Sequence, residues 1–183
     1  MQKKYIPNVL SVIRLCMVPL FISLFFLDYP NHVGHAVLVF FTAGATDVLD
    51  GWLARRNGWV SNVGKILDPL ADKMMQCAAL ICLYIKAIIP LWLLVAYVSK
   101  ELLIGVGALF VFKKQSVVVK SSFWGKFAVC VFYASIAALI LLQRATEEIK
   151  IAWTGTICAV MLCFAVVALM QYFREYIRSK KTK

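Results

Sequence analysis

Nine acidic residues occur in the sequence of 183, and Asp47, Asp50, Asp68, Asp72 and Glu101 lie inside long apolar stretches. A carboxylate in hydrocarbon costs at least ~2.5–3.5 kcal/mol on insertion scales, so each needs a cation, a water-filled cavity or a proton. The four aspartates fall within 26 residues, which calls for a common explanation. Asp47, Asp50, Gly51 and Ala54 recur at i, i+3, i+4 and i+7, with Arg55 one turn beyond Gly51. Gly64, Asp68 and Asp72 recur at i, i+4 and i+8. On helices each set shares one face. Four carboxylates at that range repel one another, and two divalent cations would cancel their formal charge. Hard oxygen ligands without accompanying His or Cys select Mg²⁺ or Mn²⁺ ahead of Ca²⁺ as the working metal. An EF-hand is excluded, because Asp47 to Gly51 lacks the alternating ligand loop. In isolation, Gly51, Ala54 and Gly64 would read as small helix-packing positions. Interleaved with aspartates, they leave room for a ligand beside the metals.

The elements that must position these residues are apolar stretches at about 8–27, 33–55, 61–85, 88–112, 122–143 and 151–173, each long enough to cross a bilayer. The second ends near Arg56 and the third begins near Ser61, so the two aspartate pairs flank one loop and can face each other across an antiparallel hairpin. Basic residues near span ends favour the cytoplasmic side. One set of connecting segments holds Lys3, Lys4, Arg55, Arg56, Lys65, Lys113, Lys114, Lys120, Arg174, Arg178, Lys180, Lys181 and Lys183; the other holds only Lys86, Arg144 and Lys150. The expected fold is therefore all-α: a polytopic integral membrane protein of six transmembrane helices with both termini cytoplasmic. The aspartates then lie in its cytoplasmic half. No linker or repeat divides the chain, so residues 1–183 are expected to form a single membrane domain.

Composition agrees with a bilayer environment. Apolar residues make up 62% of the chain and charged residues only 16%, clustered between apolar runs. The net charge of +11 reads as orientation and contact with anionic lipid, with the tail from Arg174 to Lys183 a solvated helix end. No nucleic-acid partner is expected, since the basic residues border spans and form no aromatic-basic platform. Six cysteines lie in apolar runs without CxxC spacing, as small apolar side chains do. Lys3 and Lys4 precede an apolar run as in a signal peptide, but no small-residue cleavage site follows Leu27, and the first span is expected to be retained. His32 and His35, at the outer end of the second span, read as interface residues.

The run Asp47-Val-Leu-Asp50-Gly51-Trp-Leu-Ala54-Arg55, followed by Gly64, Asp68 and Asp72, resembles the signature of the CDP-alcohol phosphotransferase family at all eight fixed positions. Ile6-Pro7-Asn8 with Ser11 and Arg14, and Leu67-Asp68-Pro69 with Ala71-Asp72-Lys73, look like its phosphatidylglycerophosphate synthase and eukaryotic-type cardiolipin synthase branch. The resemblance implies a membrane enzyme that moves a phosphatidyl group from CDP-diacylglycerol to an alcohol with release of CMP. Glycerol-3-phosphate is the first expected acceptor and phosphatidylglycerol, giving cardiolipin, the second. A divalent-cation transporter is the alternative outside enzymes, because buried aspartates can line an ion path.

Carried onto matching positions, the family pattern makes Asp47, Asp50, Asp68 and Asp72 ligands of two metal ions and gives Asp72 the further role of general base. Gly51, Ala54 and Arg55 would border the CDP donor, the glycine by leaving space and the arginine by pairing with phosphate oxygen. Ser61 is placed either to hydrogen-bond the nucleotide or to cap the third helix, and Asn8 and Ser11 join the donor set by analogy. Among buried cations, Lys100, Arg14 and Lys126 are the candidates for the acceptor phosphate, with Lys73 beside them; the alternative is snorkelling or pairing with the buried acids. Family members often carry Arg before an acidic residue where this chain has Lys100-Glu101, and Lys lacks the bidentate fork. Pro69 would either kink the third span and aim Asp68 or lie in an early turn at small cost. Many members of the family are homodimers, and the resemblance extends that expectation here.

Overall fold

Long apolar segments can satisfy their backbone N–H and C=O groups without water only by pairing them along a helix. The computed structural model describes residues 6–57, 64–115 and 123–181. They form α1 (Ile6–Phe26), α2 (His32–Asn57), α3 (Gly64–Ile85), α4 (Leu91–Gln115), α5 (Phe123–Leu142) and α6 (Glu147–Lys181), with no strand among the described residues. Each apolar stretch thus becomes one helix. The largest departure is α6, which begins before and runs well past the expected 151–173. Charged residues end an apolar run but not a helix: Glu147 and Glu148 suit the positive N-terminal end of α6, and Lys150 pairs with Glu147 at 2.7 Å. No Pro or Gly interrupts the basic stretch that follows Arg174. At 1.5 Å per residue α6 is about 52 Å long, well beyond the hydrocarbon thickness of about 30 Å.

The chain divides into two units, Met1–Lys86 and Ala87–Lys183. In the first, α1 packs against both α2 and α3, which also touch each other. The rings of Phe21 and Phe40 meet at 5.7 Å, and fully buried Ala36 and Ala43 let α2 approach closely. A hydrogen bond from Ser11 to Asp68 joins the beginnings of α1 and α3, and Lys86 Nζ lies 5.5 Å from the Phe26 ring at their far ends. The two helices therefore run parallel, with α2 antiparallel to both. The α1–α2 turn uses Asn31 at φ 71°, a left-handed conformation that Asn tolerates better than most residues. There Tyr29 stacks on His35 at 5.7 Å, and its hydroxyl is 3.1 Å from His35 Nδ1. These histidines thus close a turn at the end of the unit remote from the aspartates.

In the second unit α6 packs against α5 and α4. Tyr97 stacks on Phe132 at 4.4 Å, and Phe127 meets Phe164 at 5.5 Å. Large side chains such as Leu38, Leu102 and Ile151 face outward, an arrangement suited to surrounding hydrocarbon. Among the described residues two helices are long and apolar enough to cross a membrane, α1 over Val9–Phe26 and α6 over Glu147–Gln171, with shorter apolar runs at His32–Thr46 and Phe127–Leu142. All six cysteines are free thiols.

Candidate functional site

Local sequence places the aspartates on uninterrupted helices. Thr42 and Thr46 on α2 turn their hydroxyls back onto the carbonyls of Leu38, Val39 and Ala43 at 2.8–2.9 Å, which satisfies them inside an apolar segment. The helix continues through Asp47, Asp50, Gly51, Ala54 and Arg55 to Asn57. On α3, Pro69 lies in the second turn rather than the first, so it removes one backbone hydrogen bond immediately after Asp68.

Asp68 and Asp72 are half-buried and one turn apart on α3. Each is held by an uncharged side chain. The Ser11 hydroxyl donates to Asp68 Oδ1 from α1, and Gln76 Nε2 donates to Asp72 Oδ2 at 2.9 Å from the next turn of α3. Ser11 is fully buried, as is Arg14 one turn further along α1. Burying a guanidinium is costly unless acidic groups or other acceptors surround it. The antiparallel register supplies candidates. Counting from the Phe21–Phe40 contact, seven residues back along α1 is Arg14 and seven onward along α2 is Asp47; ten in each direction gives Ser11 and Asp50. The backbone positions of Asp47 and Asp50 therefore lie level with Arg14 and Ser11 on α1, the second of which is bonded to Asp68.

The side chains of Asp47, Asp50, Gly51, Ala54, Arg55, Asn8 and Lys126 lie outside the described residues, as does Ser61 altogether. Among the described residues no three His, Cys, Asp or Glu side chains cluster, and the side chains of Asp47 and Asp50 lie outside that set. Lys100 belongs to the second unit, in mid-α4. It forms an ion pair with Glu101 and lies 4.1 Å from the centre of the Tyr97 ring, and both charged side chains are 11% exposed. Its charge is therefore matched within its own unit.

Two partners add to the site what spacing arguments did not assign. Ser11 on Asp68 is a contact between residues 57 apart, which no local pattern encodes. Gln76 did carry a local signal: it is a polar residue at i+4 from Asp72 in an otherwise apolar segment.

The profile of the CDP-alcohol phosphatidyltransferase family matches residues 4–174. The CDP-diacylglycerol--glycerol-3-phosphate 3-phosphatidyltransferase of Bacillus subtilis (strain 168) is 28% identical over 190 aligned positions, 97% of each chain. A cardiolipin synthase (CMP-forming) of Streptomyces coelicolor is 42% identical over 109 residues, 57% of this chain and 51% of that protein. A CDP-diacylglycerol--glycerol-3-phosphate 3-phosphatidyltransferase of Pseudomonas fluorescens is 47% identical over 78 residues, 43% of this chain and 40% of that protein.

Proposed function

Because the chain belongs to the CDP-alcohol phosphatidyltransferase family, we propose that it transfers the phosphatidyl group of CDP-diacylglycerol to a hydroxyl of glycerol-3-phosphate, forming phosphatidylglycerophosphate and CMP. The observation that carries this reading is the pair Asp68 and Asp72 on one face of α3, half-buried and each fixed by a neutral donor. Asp47 and Asp50 stand level with them on the antiparallel α2.

The donor set is chemically suited to hard divalent cations, being all carboxylate with no His or Cys among the four. Asp47, Asp50, Asp68 and Asp72 would hold two Mg²⁺ or Mn²⁺ ions. When bound, such ions neutralise charge on the diphosphate oxygens of the donor. Asp72 takes the proton of the acceptor hydroxyl. The acceptor oxygen bonds to the phosphatidyl phosphorus as the bond from that phosphorus to the CMP oxygen breaks, and CMP leaves with the bonding electrons. Arg55, with Gly51 and Ala54 beside it, borders the donor diphosphate, and Asn8 and Ser61 lie on the nucleotide side. Lys100, Arg14 and Lys126 are the candidate cations for the acceptor phosphate.

In this reading all six helices cross the membrane, both termini are cytoplasmic and the aspartates open toward the cytoplasm. The lengths and apolarity of α1 and α6 support it, as does the excess of basic residues on one set of loops. The family match across 4–174 supports treating both units as one functional domain, and family membership favours transfer over cation permeation. Cardiolipin formation from phosphatidylglycerol is the second reading, favoured by the 42% identity to the Streptomyces coelicolor protein over 109 residues.

The deciding experiment gives purified protein CDP-diacylglycerol, Mg²⁺ and either glycerol-3-phosphate or phosphatidylglycerol, following CMP and the lipid product. Phosphatidylglycerophosphate is the expected product. Cardiolipin as sole product would move the assignment to the second reading, and no CMP with either acceptor from folded protein would overturn both.

A further inference from the structure

Gln76 is 1% exposed, so its amide lies in the apolar interior of the first unit. A buried primary amide is costly unless its donors and acceptors are used. Its Nε2 donates to Asp72 Oδ2 at 2.9 Å, whereas its Oε1 has no hydrogen-bond partner among the described residues. Leu or Met would fill comparable space on this helix face without stranding an acceptor. Packing therefore gives no reason for an amide at this position, and the bond to Asp72 does.

We infer that Gln76 is a positioning residue for phosphatidyl transfer, holding the plane of the Asp72 carboxylate so that it receives the acceptor proton in a fixed direction. The inference rests on the proposed role of Asp72 as base. The terminal torsion of an aspartate is broad, so a half-buried carboxylate without a restraint samples a wide range of orientations. Proton transfer needs the accepting oxygen within hydrogen-bond reach and in line with the hydroxyl. An amide one turn along the same helix restrains that torsion through a side chain that adds no formal charge beside the aspartates. Donors of this kind, one step removed from the reacting or ligating group, typically matter by about 10–100-fold. Ser11 bears the same relation to Asp68 from a different helix, so each α3 carboxylate has one oxygen engaged by a neutral donor.

The test compares the full-length parent with Gln76→Met, which keeps length and loses the donor, and Gln76→Glu, which keeps shape and replaces the donor by an acceptor. CMP release is measured at saturating Mg²⁺ and glycerol-3-phosphate over a range of CDP-diacylglycerol, together with the melting temperature of each protein in detergent. The expected result is a kcat lower by about 10–100-fold in both variants, with donor KM within about twofold of the parent; the melting temperature of Gln76→Met changes little, whereas Gln76→Glu, with a buried carboxylate beside Asp72, melts lower. A purely structural role would lower melting temperature in step with activity. Either variant keeping kcat within about twofold of the parent, or Gln76→Met losing it only in step with donor KM or melting temperature, would overturn the inference. Asp72→Asn in the same assay separates the two layers. If it is inactive while Gln76→Met is fully active, only the role of Gln76 fails. If it transfers at the parental rate, the assignment of Asp72 as base fails and Gln76 loses its role with it.

Discussion

The hydroxyl of Ser11 on α1 donates to Asp68 Oδ1 on α3, tying together two parallel helices through residues 57 apart in sequence. Ser11 is completely buried and Asp68 half-buried, so the hydroxyl end of this bond is made away from bulk solvent. Ser11→Ala is expected to lower CMP release by at least about tenfold and to destabilise the fold by about 1–3 kcal/mol. Ser11→Thr keeps the donor and should retain most of the activity. Initial rates and thermal denaturation of the two variants side by side check this.

Lys100 tests how the acceptor is chosen. Its ammonium is held by Glu101 and the Tyr97 ring in the second unit, a restraint that would present a fixed charge to an acidic acceptor. Lys100→Met is expected to raise the KM for glycerol-3-phosphate by about tenfold or more, the scale of a lost charge-assisted hydrogen bond, while the KM for CDP-diacylglycerol stays put. Equal changes in both constants would remove Lys100 from the acceptor site.

The first unit should depend on its aromatic contact. Phe40→Ala removes a fully buried ring that meets Phe21, and is expected to destabilise the protein by about 3–5 kcal/mol. Leu38→Ala, two residues away on an outward-facing position, should change the melting temperature little. Melting temperatures in the same detergent make the comparison.

What the sequence made legible, and what it did not, follows from the range of each interaction. Asp47, Asp50, Asp68 and Asp72 stand out because carboxylates in apolar segments are costly and their i, i+3 and i+4 spacing needs only a helix to become a face. The six helices were legible for the same local reason. The full extent of α6 was not, because charged residues stop burial in lipid without stopping helix propagation. Nor was the bond from Ser11 to Asp68, since an interhelical contact depends on how α1 settles against α3. Lys100 reads either as a cation for a phosphate or as one paired with a buried acid, and its place against Glu101 and the Tyr97 ring is fixed only once α4 is folded.

Topology offers an independent check. Alkaline phosphatase fused after Pro30 or after Ala145 should be active, and the same enzyme fused after Lys183 inactive, because the basic loops and both termini are expected on the cytoplasmic side. Activity of the Lys183 fusion would reverse the orientation and place the aspartates on the other face.

The most direct measurement sets the parent protein beside Asp72→Asn, each supplied with CDP-diacylglycerol, glycerol-3-phosphate and Mg²⁺, and follows CMP and phosphatidylglycerophosphate with time. The parent should release CMP in step with lipid product. Asp72→Asn should melt at a similar temperature and fall by about 10²–10⁴-fold in rate, the range ascribed to general base catalysis. No CMP from the folded parent, or undiminished transfer by Asp72→Asn, would contradict the account.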